Sequence, residues 1–206
     1  MLDGRGEISI DEDSSAEEVM EKIFRFSTDS LRKTEAIADS EQIEQAALAI
    51  SGCRRVLFIG AGTSGISARY AFSRFFRLGI PCSAEVDPVL YYMQSSILGP
   101  EDILFSISSS GRTSVVVEAA RAARQSGATV VSLSDFAISP LSQIANIKLY
   151  TTPRNVNFYM VLEMPLLIGQ ITLIDVLFSI VSLMTSGETK ARYAITKQTA
   201  DRMKNR

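Results

Sequence analysis

Two short stretches hold the residue types with chemistry in them. Gly60-Ala61-Gly62-Thr63-Ser64-Gly65 follows the apolar run Val56-Leu57-Phe58-Ile59. Ser108-Ser109-Ser110-Gly111-Arg112-Thr113 follows Ile103-Leu104-Phe105-Ser106-Ile107. Each reads as a strand-to-helix turn crowded with hydroxyls, small residues and bare backbone N–H groups. At a helix N-terminus such a turn favours an anion, because the dipole and the unpaired amides attract negative charge and short hydroxyls donate to it. The expected ligand chemistry is a phosphate lined by hydroxyls, with Gly111 letting the backbone come close. Either turn alone also fits ordinary helix capping, since Ser and Thr favour that position.

The first turn fits the GxGxxG dinucleotide pattern through Gly60, Gly62 and Gly65, with the acidic Glu85 about the expected distance on. A dinucleotide fold does not call for a second hydroxyl-rich turn. Two matched turns therefore favour a phosphorylated small molecule over NAD.

Composition removes other chemistries. The 206 residues include no histidine, which excludes Ser-His-Asp and Cys-His catalysis and the commonest metal ligand. Acid–base work would fall to carboxylates, Lys, Tyr or Cys. The net charge of −2 shows no basic excess pointing to nucleic acid. Cys53 and Cys82 match no zinc or redox spacing and are too few for a secreted disulfide scaffold, so a cytoplasmic location is expected, with no metal and no cofactor. The N-terminus, MLDGRGEISIDEDSSAEE, is acidic and lacks the apolar core of a signal peptide. Residues 158–184 are apolar enough to suggest a membrane span, but Glu163, Gln170 and Asp175 interrupt them and Pro165 lies near their start. A helix buried between layers or in a subunit interface is expected instead, with Asp175 hydrogen-bonded or at an interface.

The elements that must position the two turns follow from periodicity and punctuation. Residues 1–14 read as a flexible linker or tail and 15–206 as one domain. Ser15 and Glu18 stand at capping-box spacing before a helix whose Val19, Ile23, Phe24, Phe26 and Leu31 form an apolar stripe. A second helix is predicted over Ser40–Ile50. Strands are predicted at Arg54–Gly60, Ser83–Val86, Asp102–Ile107, Thr129–Leu133 and Ile147–Tyr150. Helices are predicted at Ser64–Leu78, from Asp87-Pro88 to about Leu98, at Thr113–Ser126 and at Pro140–Ala145, with two long ones over about 157–186 and 189–204. Strands alternating with helices on short connections imply an α/β fold: a parallel sheet with helices on both faces.

VLFIGAGTSGISARYAFSRFFRLG together with DILFSISSSGRTSVVVEAARAARQSGATVVSLSD resembles the sugar isomerase, or SIS, domain. Asp135 and Ala137–Ala145 (AISPLSQIA) resemble its continuation, and QITLIDVLFSIVSL with RYAITKQTADRMK is similar to the sensor half of RpiR-family transcription regulators. The resemblance implies a flavodoxin-like three-layer αβα sandwich with a five-stranded parallel sheet plus N- and C-terminal helices. It implies a homodimer or higher homo-oligomer that binds a phosphosugar. It carries the phosphate-holding hydroxyls over to Thr63, Ser64, Ser108, Ser110 and Thr113, with the Ser109 and Gly111 backbone nearby. RpiR regulators place a helix-turn-helix domain before this part, so DNA contact is expected only through a domain absent from this chain. One departure stands out: a Ser-Arg pair of many such sensors reads Leu166-Leu167 here, and Arg112 or Arg154 would have to compensate.

The resemblance leaves two functions open. The first is the phosphosugar-binding, dimerising effector domain of a transcription regulator. The alternative is a stand-alone aldose–ketose isomerase of the 3-hexulose-6-phosphate type, for which Glu163 is the candidate catalytic base. Glu163 also fits as a charge favourable to a helix N-terminus.

Overall fold

The computed structural model describes residue 10 and residues 13–152, 164–184 and 187–204. Five strands form one parallel sheet: β1 Arg55–Gly60, β2 Cys82–Glu85, β3 Asp102–Ile107, β4 Thr129–Asp135 and β5 Ile147–Thr151. Their spatial order is β2-β1-β3-β4-β5. Eight helices accompany them among the described residues: α1 Ala16–Ile37, α2 Ser40–Gly52, α3 Thr63–Arg77, α4 Pro88–Ser96, α5 Ser114–Gln125, α6 Pro140–Ile144, α7 Met164–Met184 and α8 Gly187–Lys204.

Alternation along β1 and β3 divides the core in two. Val56, Phe58, Ile103 and Phe105 face one side with Phe75 of α3 and Ile174, Leu177 and Val181 of α7. Leu57, Ile59 and Leu104 face the other side with Tyr91 of α4 and Val116, Ala119 and Ala123 of α5. Strands buried on both faces read as continuous apolar runs, which is why VLFI and ILF carry no polar alternation. The result is the three-layer αβα sandwich that the alternation of elements implies. Helix α7 is long and apolar enough to cross a membrane over Leu167–Met184 by length and composition. In this fold Ile174, Leu177 and Val181 are buried against the sheet layer. Each such side chain contributes roughly 1.5–3 kcal/mol when fully buried.

Local signals set several boundaries. Ser15 and Glu18 form the capping box: the Glu18 N–H donates to Ser15 Oγ at 3.3 Å and the Ser15 N–H to Glu18 Oε2 at 2.8 Å. Asp87 caps α4, accepting from the N–H groups of Val89 and Leu90, with Pro88 in the first turn.

Some expectations shift. Strand β2 stops at Glu85 rather than Val86, because Glu85 Oε1 accepts from the N–H groups of Val86 and Asp87 and turns the chain into α4. Strand β4 runs on to Asp135, whose N–H donates to Ser109 O at 2.8 Å. Helix α8 starts at Gly187, two residues early. The first part of the long helix predicted from about residue 157, up to 163, lies outside the described residues. The apolar stripe of α1 is only partly covered, with Val19, Ile23, Phe26 and Leu31 half-buried. Ser30 and Thr34 are buried, whereas Phe24 is 70% exposed, since only the C-terminal half of α1 has a neighbouring layer to cover it.

Candidate functional site

Parallel pairing places the two turns side by side. Strand β1 pairs with β3 from Arg55↔Asp102 to Gly60↔Ile107, so the turns that follow leave adjacent strand ends. Here β2 continues to one side of β1 and β3 lies on the other. In open α/β sheets such a switch in strand order opens the crevice where ligands bind.

The first turn is compressed. A Cβ on Gly60 would lie 2.5 Å from the Ser64 carbonyl oxygen, so no other residue fits there. Gly62 precedes α3 at φ 55°, and the Gly65 N–H returns to Gly62 O at 3.0 Å. Thr63 is half-buried and Ser64 is buried at the first turn of α3.

The second turn is braced from three sides. Ser108, buried, donates its hydroxyl to Thr113 Oγ1 at 3.1 Å. Ser110 Oγ accepts from the Arg112 N–H at 3.2 Å. The Gly111 N–H donates to Ser108 O at 2.9 Å, while Gly111 O accepts from the Leu141 N–H at 3.1 Å. Gly111 sits at φ 61°, and a Cβ there would collide with the Ser139 side chain. Its lack of a side chain thus serves the turn's own packing against α6; its amide is spent internally rather than aimed at a ligand. The Arg112 guanidinium reaches Ile138 O at 3.4 Å, tying the turn to the segment before α6.

Capping separates the two explanations for the hydroxyls. Helices α1, α2, α4 and α6 each begin with a side-chain cap, from Ser15, Asp39, Asp87 and Ser139. Helices α3 and α5, which begin at the two turns, have no side-chain cap. At α3 the capping position is Gly62, which has no hydroxyl to spend, and at α5 the Thr113 hydroxyl is not spent on capping.

Gln170 is the residue that sequence reasoning did not assign to the site. Its side chain is 1% exposed. Ser67 Oγ donates to Gln170 Oε1 at 2.6 Å, and Gln170 Nε2 donates to Ser109 Oγ at 3.2 Å. The amide stitches the helix of the first turn to the serines of the second. Its one visible signal was a polar residue inside an apolar helix. Next to it, Gly169 is packed so closely that an added Cβ would lie 3.3 Å from both Thr34 Oγ1 of α1 and Thr151 Cγ2 of β5.

Other candidates fall elsewhere. Glu85 is turned back onto its own backbone, accepting from the Val86 and Asp87 N–H groups just before α4, rather than reaching toward the turns. Asp175 accepts from Tyr70 Oη at 2.8 Å and pairs with Arg74 Nε at 2.9 Å, fastening α7 to α3. Partial burial, then the Asp175 carboxylate, push the Tyr70 hydroxyl above its ordinary pKa. Burial pushes the Cys53 and Cys82 thiols up to about 11 and about 12, so neither is a ready nucleophile. Glu163 and Arg154 lie outside the described residues. An apolar groove of about 370 Å³ between the N-terminal ends of α4 and α5 is lined by Pro88, Val89, Tyr92, Ser114, Val115 and Glu118, a lining unsuited to a phosphate.

The fold and the paired turns define an α/β class of domain, and comparison with known proteins names it. The model of the SIS domain matches residues 49–180, and the chain belongs to that family. It is 34% identical over 177 residues to an uncharacterized HTH-type transcriptional regulator of Caldanaerobacter subterraneus, spanning 86% of this chain and 62% of that protein. It is 33% identical over 176 residues to the HTH-type transcriptional regulator HexR of Pseudomonas aeruginosa, spanning 85% of this chain and 61% of the relative. The chain thus spans about three-fifths of the length of these curated relatives. Among solved structures, the Vibrio vulnificus NanR protein complexed with ManNAc-6P superposes with a TM-score of 0.80 at 26% identity, covering 90% of this chain and 69% of that one. The sugar isomerase domain of an RpiR transcription factor from Sphaerobacter thermophilus superposes with a TM-score of 0.77 at 21% identity, over 87% of this chain and 98% of that chain, and supports the fold alone.

Proposed function

We propose that this chain is the phosphosugar-binding, dimerising effector domain of an RpiR-type transcription regulator. One observation carries the reading: two hydroxyl-rich turns leave adjacent strands, and the helix after the second begins at Thr113 with no side-chain cap bond. Hydroxyls of Thr63, Ser64, Ser110 and Thr113 hold the phosphate, Ser108 orients the Thr113 hydroxyl from behind, and the Ser109 backbone lies beside them. Gly111 shapes the turn. Residues 1–14 act as a linker and 15–206 as the domain. It works in the cytoplasm and reaches DNA only through a domain outside this chain.

Relatives named as HTH-type transcriptional regulators support the regulator role over the isomerase alternative. The NanR neighbour complexed with ManNAc-6P supports a phosphosugar ligand. Exposed Met20 and Phe24 on α1, and Val89, Tyr92 and Met93 on α4, supply apolar surface for a second copy. Ligand binding then shifts the dimer geometry and with it the DNA affinity of the whole regulator.

The test is a thermal-shift panel of sugar phosphates with the matching unphosphorylated sugars. A ligand at 100 times its Kd adds about 2.7 kcal/mol, which raises the Tm of a domain this size by roughly 5–10 °C. One sugar phosphate should stabilise the protein and be recovered unchanged, while its free sugar does nothing. Conversion of that compound to its isomer overturns the sensor reading.

A further inference from the structure

Gln170 does more than fill space in α7. An amide in the core costs free energy unless it is hydrogen-bonded, and a leucine would pack as well beside Leu173 and Ile174. What the amide adds is direction. A serine hydroxyl has one proton and two lone pairs. Because Gln170 Nε2 donates to Ser109 Oγ, the Ser109 proton stays available to another acceptor. The opposite amide orientation would draw that proton inward and leave only lone pairs facing outward. Here the Ser67 hydroxyl donates to Gln170 Oε1 at 2.6 Å, so the amide nitrogen is the end that meets Ser109, and this donor favours that orientation. Ser67 is fully buried one turn into α3, so the relay also sets the spacing of the two turns.

We propose that Ser67 and Gln170 form a directional hydrogen-bond relay that turns the Ser109 hydroxyl into a donor to the phosphate of the ligand. Gln170 is thus a positioning residue acting through Ser109. The inference rests on the phosphosugar reading and extends the ligand set from the Ser109 backbone to its side chain.

The experiment compares wild type with Gln170→Met, Gln170→Glu and Ser67→Ala by titration calorimetry. The probes are N-acetylmannosamine 6-phosphate, glucose 6-phosphate and inorganic phosphate, each at pH 8.5 and pH 5.5. Gln170→Met should bind the sugar phosphate that wild type binds roughly tenfold more weakly at both pH values, the worth of one hydrogen bond to an ionised partner. Gln170→Glu should lose more than about tenfold at pH 8.5, where a carboxylate cannot donate to Ser109. Burial raises the pKa of that new carboxyl, so at pH 5.5 it is protonated, donates again, and its deficit against wild type shrinks at least threefold. The phosphate titrates too, but wild type measured alongside cancels it. Ionisable groups on the surrounding elements are Asp135 of β4, Arg112 of the second turn, and Tyr70, Arg74 and Asp175 of α3 and α7. All are common to wild type and variant. A purely structural role gives one deficit at both pH values and overturns the relay. If a Gln170 variant fails to fold, Ser67→Ala carries the test, with an expected loss of roughly threefold to tenfold and an unchanged affinity overturning the proposal. A wild-type protein that binds none of the three probes overturns the phosphosugar reading and the relay with it; a wild type that binds while all variants match it overturns the relay alone.

Discussion

Ser108 spends its hydroxyl proton on Thr113: Oγ donates to Oγ1 across the second turn at 3.1 Å. Thr113, at the start of α5, is the acceptor in that bond, so the bond does not consume its own proton. The bond fixes the last hydroxyl of SSSGRT in place and makes Thr113 a donor at the helix N-terminus.

Thr113→Val removes that donor at nearly constant shape. Sugar-phosphate affinity, read by calorimetry, should fall at least tenfold, since hydrogen bonds to charged groups are worth about 1.5–3 kcal/mol. The melting temperature should move little, because no cap is lost. Unchanged affinity would remove Thr113 from the site.

Gly111→Ala tests the turn itself. The residue sits at φ 61° with Ser139 where a methyl group would go. Left-handed strain and the clash together should cost about 2 kcal/mol, a fall of roughly 4–8 °C in Tm for a domain of this size. Calorimetric melting of variant and wild type checks this, and an unchanged Tm would refute the packing argument.

Asp102 predicts an acid limb to stability. Its buried carboxylate, at the start of β3, accepts from Arg54 Nε at 2.8 Å and from the Gly99 N–H at 2.9 Å. The Arg54 bond above all holds its pKa down to about 2, below the ordinary 3.8. The folded value is the lower one, so the stabilisation is complete above the unfolded pKa. It shrinks as pH falls below about 4 and is gone below about 2. Urea unfolding at pH 7, 4 and 2.5 should show this loss. Asp102→Asn should cost about 1–2 kcal/mol at pH 7 and flatten that part of the profile.

Local signals carried much of the fold. The Ser15–Glu18 box, the Asp87-Pro88 entry and the apolar runs before each turn place their elements within a residue or two, because each depends on near neighbours. The facts of the site that escaped are those that depend on distant ones. Gln170 looked like a blemish in an apolar helix, since its partners Ser67 and Ser109 lie 103 and 61 residues away. Gly111 looked like room for a ligand, whereas Ser139, in another loop, sets its need. Glu85 stood at the right distance for a ribose contact but bonds the two amides that follow it. The apolar stripe on α1 was legible, yet periodicity does not say how far an apolar face meets its own chain.

The position of α7 also orders events during synthesis. Strands β1 to β5 are complete once residue 151 has left the ribosome, and both turns are then present. The sheet face bearing Phe58 and Phe105 still lacks Ile174, Leu177 and Val181, and the turns lack Gln170. A nascent chain at that stage has this face covered by α2 and α3 but not yet by α7, a partly exposed apolar surface of the kind that chaperones hold. Domains tend to fold as units, and this one cannot close until its last buried helix has emerged. The two turns thus gain the Gln170 link between them only when α7 arrives, after the sheet is made.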